Sequence, residues 1–497
     1  MKNKTIKFIM LSILLLSFSQ NSFAKKTANN ENSDLDFIPA FEAETSIKNK
    51  IGSPKIAEKK QVISKTEIES KEVNNKQSSY QFTFDNILQV SNKKNQSDLI
   101  FSTNGQDNTN WSNLSRIGMR SDIALRPDLS FKTSLLLNAY TREGDNFSSS
   151  KDLRLDIKEA YLSWQQSPTQ YIDLGRINIK NGVAQGFNPT DYFKIGTLLD
   201  RNTEDVSQLR DARIGSLVLR GQKLWDSGSL TMVLSPKISN KNDHWTTSKN
   251  IYGLNLHKSN DRSRIMLKLS QNIAEDIGPE LIYYNESGKH NLGLNLSKSF
   301  NDQLIGYAEW NIGERRNLVD EAFQKPRNNS RLHPQIRQAF TTDKGESYQQ
   351  QFAVGFSYTA KSNITTNLEY HYNQAGLSKS QANKWFNTAE ASNNSVVLGQ
   401  LQSIRGLAQI RNEPLGQHSL FLRSKWSNAF IDKLDLSGLL VGDLNDNSQI
   451  LQLEAEYELN SKSTLSLNLA KYQGKRKSIY GSLENDLTAS VQFEYNF

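Results

Sequence analysis

From Tyr80 onward, apolar and polar positions alternate with a period of two, in segments of 9 to 13 residues separated by clusters of Asn, Asp, Ser, Gly and Pro. The last segment is the clearest. Leu487, Ala489, Val491, Phe493, Tyr495 and Phe497 interleave with Thr488, Ser490, Gln492, Glu494 and Asn496. The same pattern sets Phe352, Val354, Phe356 and Tyr358 against Ala353, Gly355, Ser357 and Thr359. After Ala360-Lys361-Ser362 it continues with Ile364, Leu368, Tyr370 and Tyr372 against Asn367, Glu369, His371 and Asn373. Leu451, Leu453, Ala455, Tyr457 and Leu459 face away from Gln452, Glu454, Glu456 and Glu458, and Leu465, Leu467 and Leu469 follow the turn at Asn460-Ser461-Lys462. One face of each strand suits lipid and the other suits water. Strands of soluble sandwiches average about 5 to 6 residues, whereas a tilted strand crossing a bilayer needs about 9 to 11.

The pattern predicts strands over 80–90, 113–125, 129–141, 153–164, 170–180, 213–222, 228–236, 250–258, 262–272, 277–285, 289–299, 302–313, 348–359, 363–374, 416–427, 432–442, 448–459, 463–472 and 486–497. Those are nineteen segments, whereas bacterial barrels of one chain have an even count, short periplasmic turns and longer outer loops. Working inward from the N-terminal side puts Arg126-Pro127-Asp128, Ser167-Pro168-Thr169 and Trp225-Asp226-Ser227 in the periplasm; working inward from Phe497 does the same for its short turns. The two schemes collide between about 250 and 313, so the superfluous segment lies there. The predicted fold class is all-β: a transmembrane antiparallel β-barrel of about 18 strands, with 16 the next choice, behind a polar N-terminal periplasmic tail. The connections 181–212, 314–347 and 375–415 become extracellular loops, and the first is the expected constriction element.

The N-terminus changes the picture by adding a destination. Lys2, Lys4 and Lys7, the apolar run Phe8 to Phe18 and Ser22-Phe23-Ala24 have the three-part form of a Sec signal peptide. The expected organisation is therefore a signal peptide over 1–24, a polar, disordered periplasmic segment over 25–79 and a barrel over 80–497. A short helix over Val62 to Val73 is the minority reading of the polar segment. No stretch approaches the roughly 18 apolar residues of a membrane helix, and the absence of cysteine excludes a lipoprotein anchor and disulfide staples. The mean hydropathy of −0.62 suits either a very polar soluble protein or a barrel with a wet lumen and wet loops, and composition alone does not choose between them. The net charge of +8 includes the three leader lysines and gives no reason to expect a nucleic-acid partner.

The ending Phe493, Tyr495, Phe497 resembles the C-terminal strand that the barrel assembly machinery of the Gram-negative outer membrane recognises. Aromatics near strand ends, such as Tyr370, Tyr372, Trp426 and Tyr457, suit interfacial girdles. A barrel of this size leaves an aqueous lumen. Its early wall would carry Arg116, Arg120, Asp122, Lys132, Arg154, Asp156, Lys158, Arg176 and Arg220, and its late wall Arg423, Lys425, Asp435, Glu454, Glu456, Glu458 and Glu494. Charges of opposite sign across a pore create a transverse field that orients solutes; the plainer alternative is that these are wet residues that pair with one another.

Lys158-Glu159-Ala160-Tyr161-Leu162, then Gly175-Arg176-Ile177-Asn178-Ile179-Lys180-Asn181-Gly182, then Gly186-Phe187-Asn188-Pro189-Thr190-Asp191-Tyr192-Phe193 resemble barrels of the porin and alginate-export-like families. In those families a Glu-Ala-Tyr strand precedes a Gly-Arg strand and an Asn-Pro-rich loop. The resemblance spans about 40 residues and implies a channel without naming its solute. Chemically, Asn188-Pro189-Thr190-Asp191 is a turn; functionally, Asn188, Asp191, Tyr192 and Phe193 are candidates to line the constriction, the rings offering a sliding surface for sugars.

The six histidines show no metal-ligand spacing, no phosphate-binding loop is present, and no residue stands out as catalytic, so no metal, no cofactor and no enzymatic activity are expected. A TonB-dependent receptor would need a plug and about 22 strands. Three functions remain: a channel for small hydrophilic or charged solutes, an export pore for an anionic polysaccharide, which would need a basic track through Arg116, Arg120, Arg154 and Arg220, and a structural or binding barrel with a closed pore. The expected partners are outer-membrane lipid and lipopolysaccharide, the barrel assembly machinery and a small hydrophilic solute; a homo-oligomer, including the porin trimer, is left open beside a monomer.

Overall fold

The computed structural model describes residues 78–95, 99–101, 110–199, 206–239, 255–274, 276–341 and 343–497. The expected signal peptide, the minority helix and nearly all of the polar segment lie outside the described residues. Strong alternation becomes eighteen strands: β1 (Ser79–Lys93), β2 (Trp111–Arg126), β3 (Leu129–Arg142), β4 (Leu153–Ser167), β5 (Gln170–Ile177), β6 (Ser216–Trp225), β7 (Gly228–Ser235), β8 (Arg264–Gln271), β9 (Ile277–Glu286), β10 (Lys289–Ser299), β11 (Leu304–Arg315), β12 (Ser347–Thr359), β13 (Ile364–Asn373), β14 (His418–Trp426), β15 (Leu434–Asp443), β16 (Ser448–Asn460), β17 (Ser463–Gln473) and β18 (Asn485–Asn496). Each pairs antiparallel with its neighbour in sequence, and β1 pairs with β18 to close the ring. Closure leaves no free strand edge.

Side chains sort as the pleat requires. Along β13, Asn367, Glu369, His371 and Asn373 point inward and are buried. On β12, Val354, Phe356 and Tyr358 lie on the outer face, each more than two-fifths exposed, while Ala353 between them is fully buried. Leu281, Leu292, Leu453, Leu467 and Val491 continue the apolar outer surface around the ring. In water such a surface would aggregate; around a closed barrel it is the surface that meets lipid. The chain is a transmembrane antiparallel β-barrel.

Of the superfluous expected strand, 250–258, the described residues 255–258 are not a strand, and β7 pairs directly with β8. Residues 250–254 lie outside the described residues, and the remainder turns at Asn255, whose φ of 50° is left-handed, into a single helical turn, Leu256–Ser259. Buried Asn255, Ser259, Asn260 and Asp261 explain why. Asn260 binds back to the strand ends, its side chain accepting from the Leu217 amide at 2.8 Å and donating to Ser235 Oγ at 3.1 Å, so this segment is consumed in closing a loop.

The turns at Pro127-Asp128, Pro168-Thr169 and Asp226-Ser227 fall at one end of the barrel. Long connections occupy the other end, together with the two-residue turn Ser287-Gly288, and all three of those expected as plain loops carry helices. They are α2 (Leu318–Asn328), α3 (Pro334–Ala339), α4 (Lys379–Glu390) and α5 (Ser395–Arg411); α1 (Val206–Asp211) lies earlier, in the connection 178–215. Caps start them: Asn317 accepts from the Asp320 amide, Ser378 and Gln381 form a reciprocal capping box, and Asn394 accepts from the Val396 amide. Leu318, Phe323, Ile336, Trp385, Phe386, Leu401 and Ile404 fill a common apolar core that also takes Phe101 and Ile479 from two further loops. The loop end therefore carries a helical cap with a core of its own.

Candidate functional site

In the connection 178–215, residues 182–193 turn into the barrel and lie against the inner wall of β9 to β14. Two wall carboxylates receive it. Glu309 on β11 accepts hydrogen bonds from the amides of Val183 at 2.5 Å and Ala184 at 2.6 Å, from Asn188 Nδ2 at 3.0 Å, and from the amide and hydroxyl of Thr190 at 3.4 and 3.1 Å. Glu369 on β13 accepts from the amides of Gln185 at 2.6 Å and Gly186 at 2.9 Å, from the Tyr307 hydroxyl at 2.7 Å and from His371 Nε2 at 2.7 Å. Gly182 makes the approach possible: its φ is +99°, and a Cβ there would stand 2.5 Å from Glu309 Oε1.

The Asn188 to Phe193 turn is packed rather than exposed. Asp191, wholly buried, pairs with Arg213 at 2.7 Å. Tyr192 stacks on Tyr284 with ring centroids 4.3 Å apart and donates its hydroxyl to Asn311 at 2.8 Å. Phe193 meets the same Tyr284 edge-on, with the Arg264 guanidinium 5.6 Å over its ring. These rings anchor the loop and offer a solute no sliding surface. Asp191 and Tyr192 instead border a second cavity of about 310 Å³ beneath the cap.

Opposite the anchored side, between the loop and the wall of β1 to β4 and β16 to β18, lies a cavity of about 490 Å³. Arg116, Arg120 and Lys158 enter it from β2 and β4; Glu454, Glu456 and Glu494 enter it from β16 and β18, with Asp85 of β1 between the two groups. Arg116 reaches Asp85 at 3.6 Å. Among the described residues, Arg120, Lys158, Glu454, Glu456 and Glu494 are in no ion pair. Leu209 and Asp211 of α1 form the loop side of the cavity.

The other basic positions expected on the early wall are neutralised or turned aside. Lys132 pairs with Asp122 at 3.2 Å, Arg154 with buried Asp156 at 2.6 Å, and Arg220 with Asp173 at 2.8 Å. Arg176 donates to the Ile157 carbonyl at 2.9 Å. On the late wall Lys425 pairs with Asp435 at 2.7 Å, Arg423 of β14 stands opposite Asn367 of β13, and Glu458 is exposed near the turn end of β16. A basic track through Arg116, Arg120, Arg154 and Arg220 is therefore interrupted by carboxylates. At the closing seam, Phe497 donates its amide to the Phe82 carbonyl at 3.0 Å, and its ring lies edge-on to Tyr495 at 4.9 Å.

The second cavity is a dense ion-pair network where cap, barrel rim and inserted loop meet. Arg315 donates to both oxygens of Glu413 at 2.8 and 2.9 Å, Arg411 reaches Glu321 at 2.9 Å, and Arg262 reaches Glu286 at 2.5 Å. Burial alone would raise the Glu413 carboxyl, but the guanidiniums of Arg315 and Arg411 outweigh it and hold Glu413 at about 2. Ser419, His371 and Glu369 are linked like a hydrolytic triad, with Ser419 Oγ 3.3 Å from His371 Nδ1. Gly186 and Phe187 cover this chain of groups, and all three are at most 3% exposed, so no substrate reaches the serine.

Glu309 and Glu369 were not singled out by sequence reasoning, because inward polar positions look alike until the loop that covers them is known. A wide barrel narrowed by an inward loop is the porin architecture. No family model and no curated protein matches the chain. Among solved structures, OccK5 (OpdH) of Pseudomonas aeruginosa is 9% identical with a TM-score of 0.48, over 84% of this chain and 98% of that one. OccAB4 of Acinetobacter baumannii is 9% identical with a TM-score of 0.48, over 86% and 99%. A triple mutant of the Rhodopseudomonas blastica porin is 12% identical with a TM-score of 0.39, over 85% and 100%. Matches at this level carry nothing about solute or assembly; the architecture rests on the strand ladders of the chain itself.

Proposed function

We propose that the protein is a Sec-exported channel of the Gram-negative outer membrane that passes small hydrophilic or charged solutes. The observation that carries the reading is the cavity between loop and wall, bordered by the cations Arg120 and Lys158 on one side and by Glu454, Glu456 and Glu494 on the other. Fixed charges of opposite sign across a narrow aqueous path produce a transverse field, which slows apolar solutes and aligns dipolar ones. The interrupted basic track speaks against an export pore for an anionic polymer, since Arg154 and Arg220 are spent on Asp156 and Asp173. The helical cap favours, as a second reading, a barrel whose outer surface binds a partner while the pore stays shut. Planar-bilayer recording of the refolded full-length protein in asymmetric KCl separates them. Stable channels with a defined reversal potential support the channel, and insertion without conductance overturns it.

A further inference from the structure

We propose that the turn 427–433, between β14 and β15, is a lipid anchor that lays Phe430 and Ile431 into the membrane leaflet at the end of the barrel that carries Pro127-Asp128. The anchor stands whether or not the pore conducts. Phe430 is 79% exposed and Ile431 55%, and Phe430 is the most exposed large apolar side chain among the described residues. Other turns at that end, Pro127-Asp128, Pro168-Thr169, Asp226-Ser227 and Ser461-Lys462, present proline or polar residues at their tips. Turn geometry does not account for the aromatic. The φ of Phe430 is 61°, a left-handed conformation that suits asparagine, as at Asn363 in the adjacent turn with 60°, and is an outlier for a bulky side chain. Strain of this kind persists where the surroundings fix it and is concentrated at sites with a task.

Two features name lipid as the occupant. The first is continuity with the outer face of the wall. Trp426 ends the outward row of β14 that includes Leu422, stands opposite Ile364 and Leu436 on the flanking strands, and has the Phe430 ring edge-on at 4.6 Å. Phe430 therefore carries the apolar surface past the last strand residue, where the interfacial aromatics of a barrel wall would stop. The second is the backbone, whose polar groups must find partners inside the protein wherever lipid replaces water. The amides of Ser427, Ala429 and Ile431 donate to the carbonyls of Asn363, Leu434 and Ala429 at 3.1, 2.6 and 2.6 Å. Those of Asn428 and Lys433 donate to the side chains of Asp435 and Asn428 at 3.0 and 2.8 Å. Ala429, at the centre of the turn, is wholly buried. Lys433 follows the apolar pair, and a lysine stem can lie along apolar surface while its ammonium stays among headgroups. A turn closed in this way offers few amides to a protein partner, and a lipid surface asks for none.

The test places single nitroxide labels in the full-length protein, reconstituted in vesicles of phosphatidylethanolamine and phosphatidylglycerol, and reads their collisions with oxygen, which concentrates in lipid, and with a water-soluble nickel chelate. Because the chain contains no cysteine, F430C, I431C, L467C and S461C each give one labelled position, and heat-modifiable migration establishes that each variant is folded. Leu467, on the outer face of β17, is the lipid reference, and Ser461, at an exposed turn of the same end, is the aqueous one. Labels at 430 and 431 are expected to collide with oxygen far more than with nickel, as at 467, and to differ severalfold in that ratio from 461. I431C keeps Phe430 in place, so the reading survives a failure of F430C to fold. A ratio at both positions equal to that at 461 puts the turn in water and overturns the proposal. Labels that meet neither reagent are covered by protein, which overturns it in favour of a protein partner at this turn.

Discussion

Asp191 and Arg213 form an ion pair 2.7 Å long inside the connection 178–215, with side-chain exposures of 0% and 1%. Taken out of water, each charge depends on the other. Replacing Arg213 by Met would strand a buried carboxylate, with Arg210 at 3.8 Å the remaining ion-pair partner among the described residues. Losses of about 3 to 5 kcal/mol are typical for one-sided removal from a buried pair. Amide hydrogen exchange should therefore speed up across residues 183 to 199 in R213M while the strand ladders stay protected; unchanged exchange in the loop would refute the assignment.

Charge at the main cavity should govern ion preference. The triple variant E454Q/E456Q/E494Q should move the reversal potential toward anions, and R120Q/K158Q toward cations. One charge at about 4 Å in a water-like dielectric is worth about 1 kcal/mol, or roughly fivefold in a permeability ratio. R154Q should shift it less than R120Q, since Arg154 is already paired with Asp156. Equal shifts from all basic positions would mean that the cavity is not the selective segment.

Glu413 ties the cap to the rim of the barrel and gives that joint a pH dependence. Its carboxyl is held at about 2 in the fold, below the ordinary carboxylate value near 4.3. A depressed value contributes stability that is fully present above the unfolded value and lost as pH falls through the folded one. The window runs from about pH 4.3 down to about 2, and the contribution is roughly 3 kcal/mol. Protection of the α5 amides should fall over that window in the wild type. In E413Q it should already be reduced at neutral pH and lack this acid step.

Trp385 is the keystone of the cap. It is fully buried, donates its indole N–H to the Leu401 carbonyl at 2.9 Å, and stacks near Phe101 at 4.6 Å with the Arg405 guanidinium 5.0 Å over its ring. Truncation to alanine of a core tryptophan costs about 3 to 5 kcal/mol. In W385A, limited proteolysis should cut within 379–411 while the barrel remains heat-modifiable. A cap as resistant as wild type would show that its core does not depend on this ring.

The barrel was legible in the sequence because lipid imposes a period on every strand independently of its neighbours. Leu451 to Leu459 and Leu487 to Phe497 announce their outer faces from local pattern alone. Segment 250–258 misleads for the same reason: Tyr252, Leu254 and Leu256 alternate, but alternation says nothing about whether a strand has a free neighbour to pair with. The helices over 318–339 and 379–411 left a readable trace in Ser378 and Gln381, whose spacing is that of a capping box. Glu309 and Glu369 left none. Their partners lie 126 and 184 positions away, and no one-dimensional pattern distinguishes a carboxylate that clamps a loop from one that faces water.

The seam between β1 and β18 also fixes the order in which the wall can form. Thr83 faces Asn496 across it, and Gln492 donates to Asp85 over 407 positions of chain. Seventeen of the eighteen ladders join neighbours in sequence and can grow as soon as both strands exist, but the last has to wait for β18. Until then two unpaired edges remain open, each a template for pairing with the wrong strand. A chain shortened anywhere inside β18 is thus not a slightly weaker barrel but an unfinished sheet.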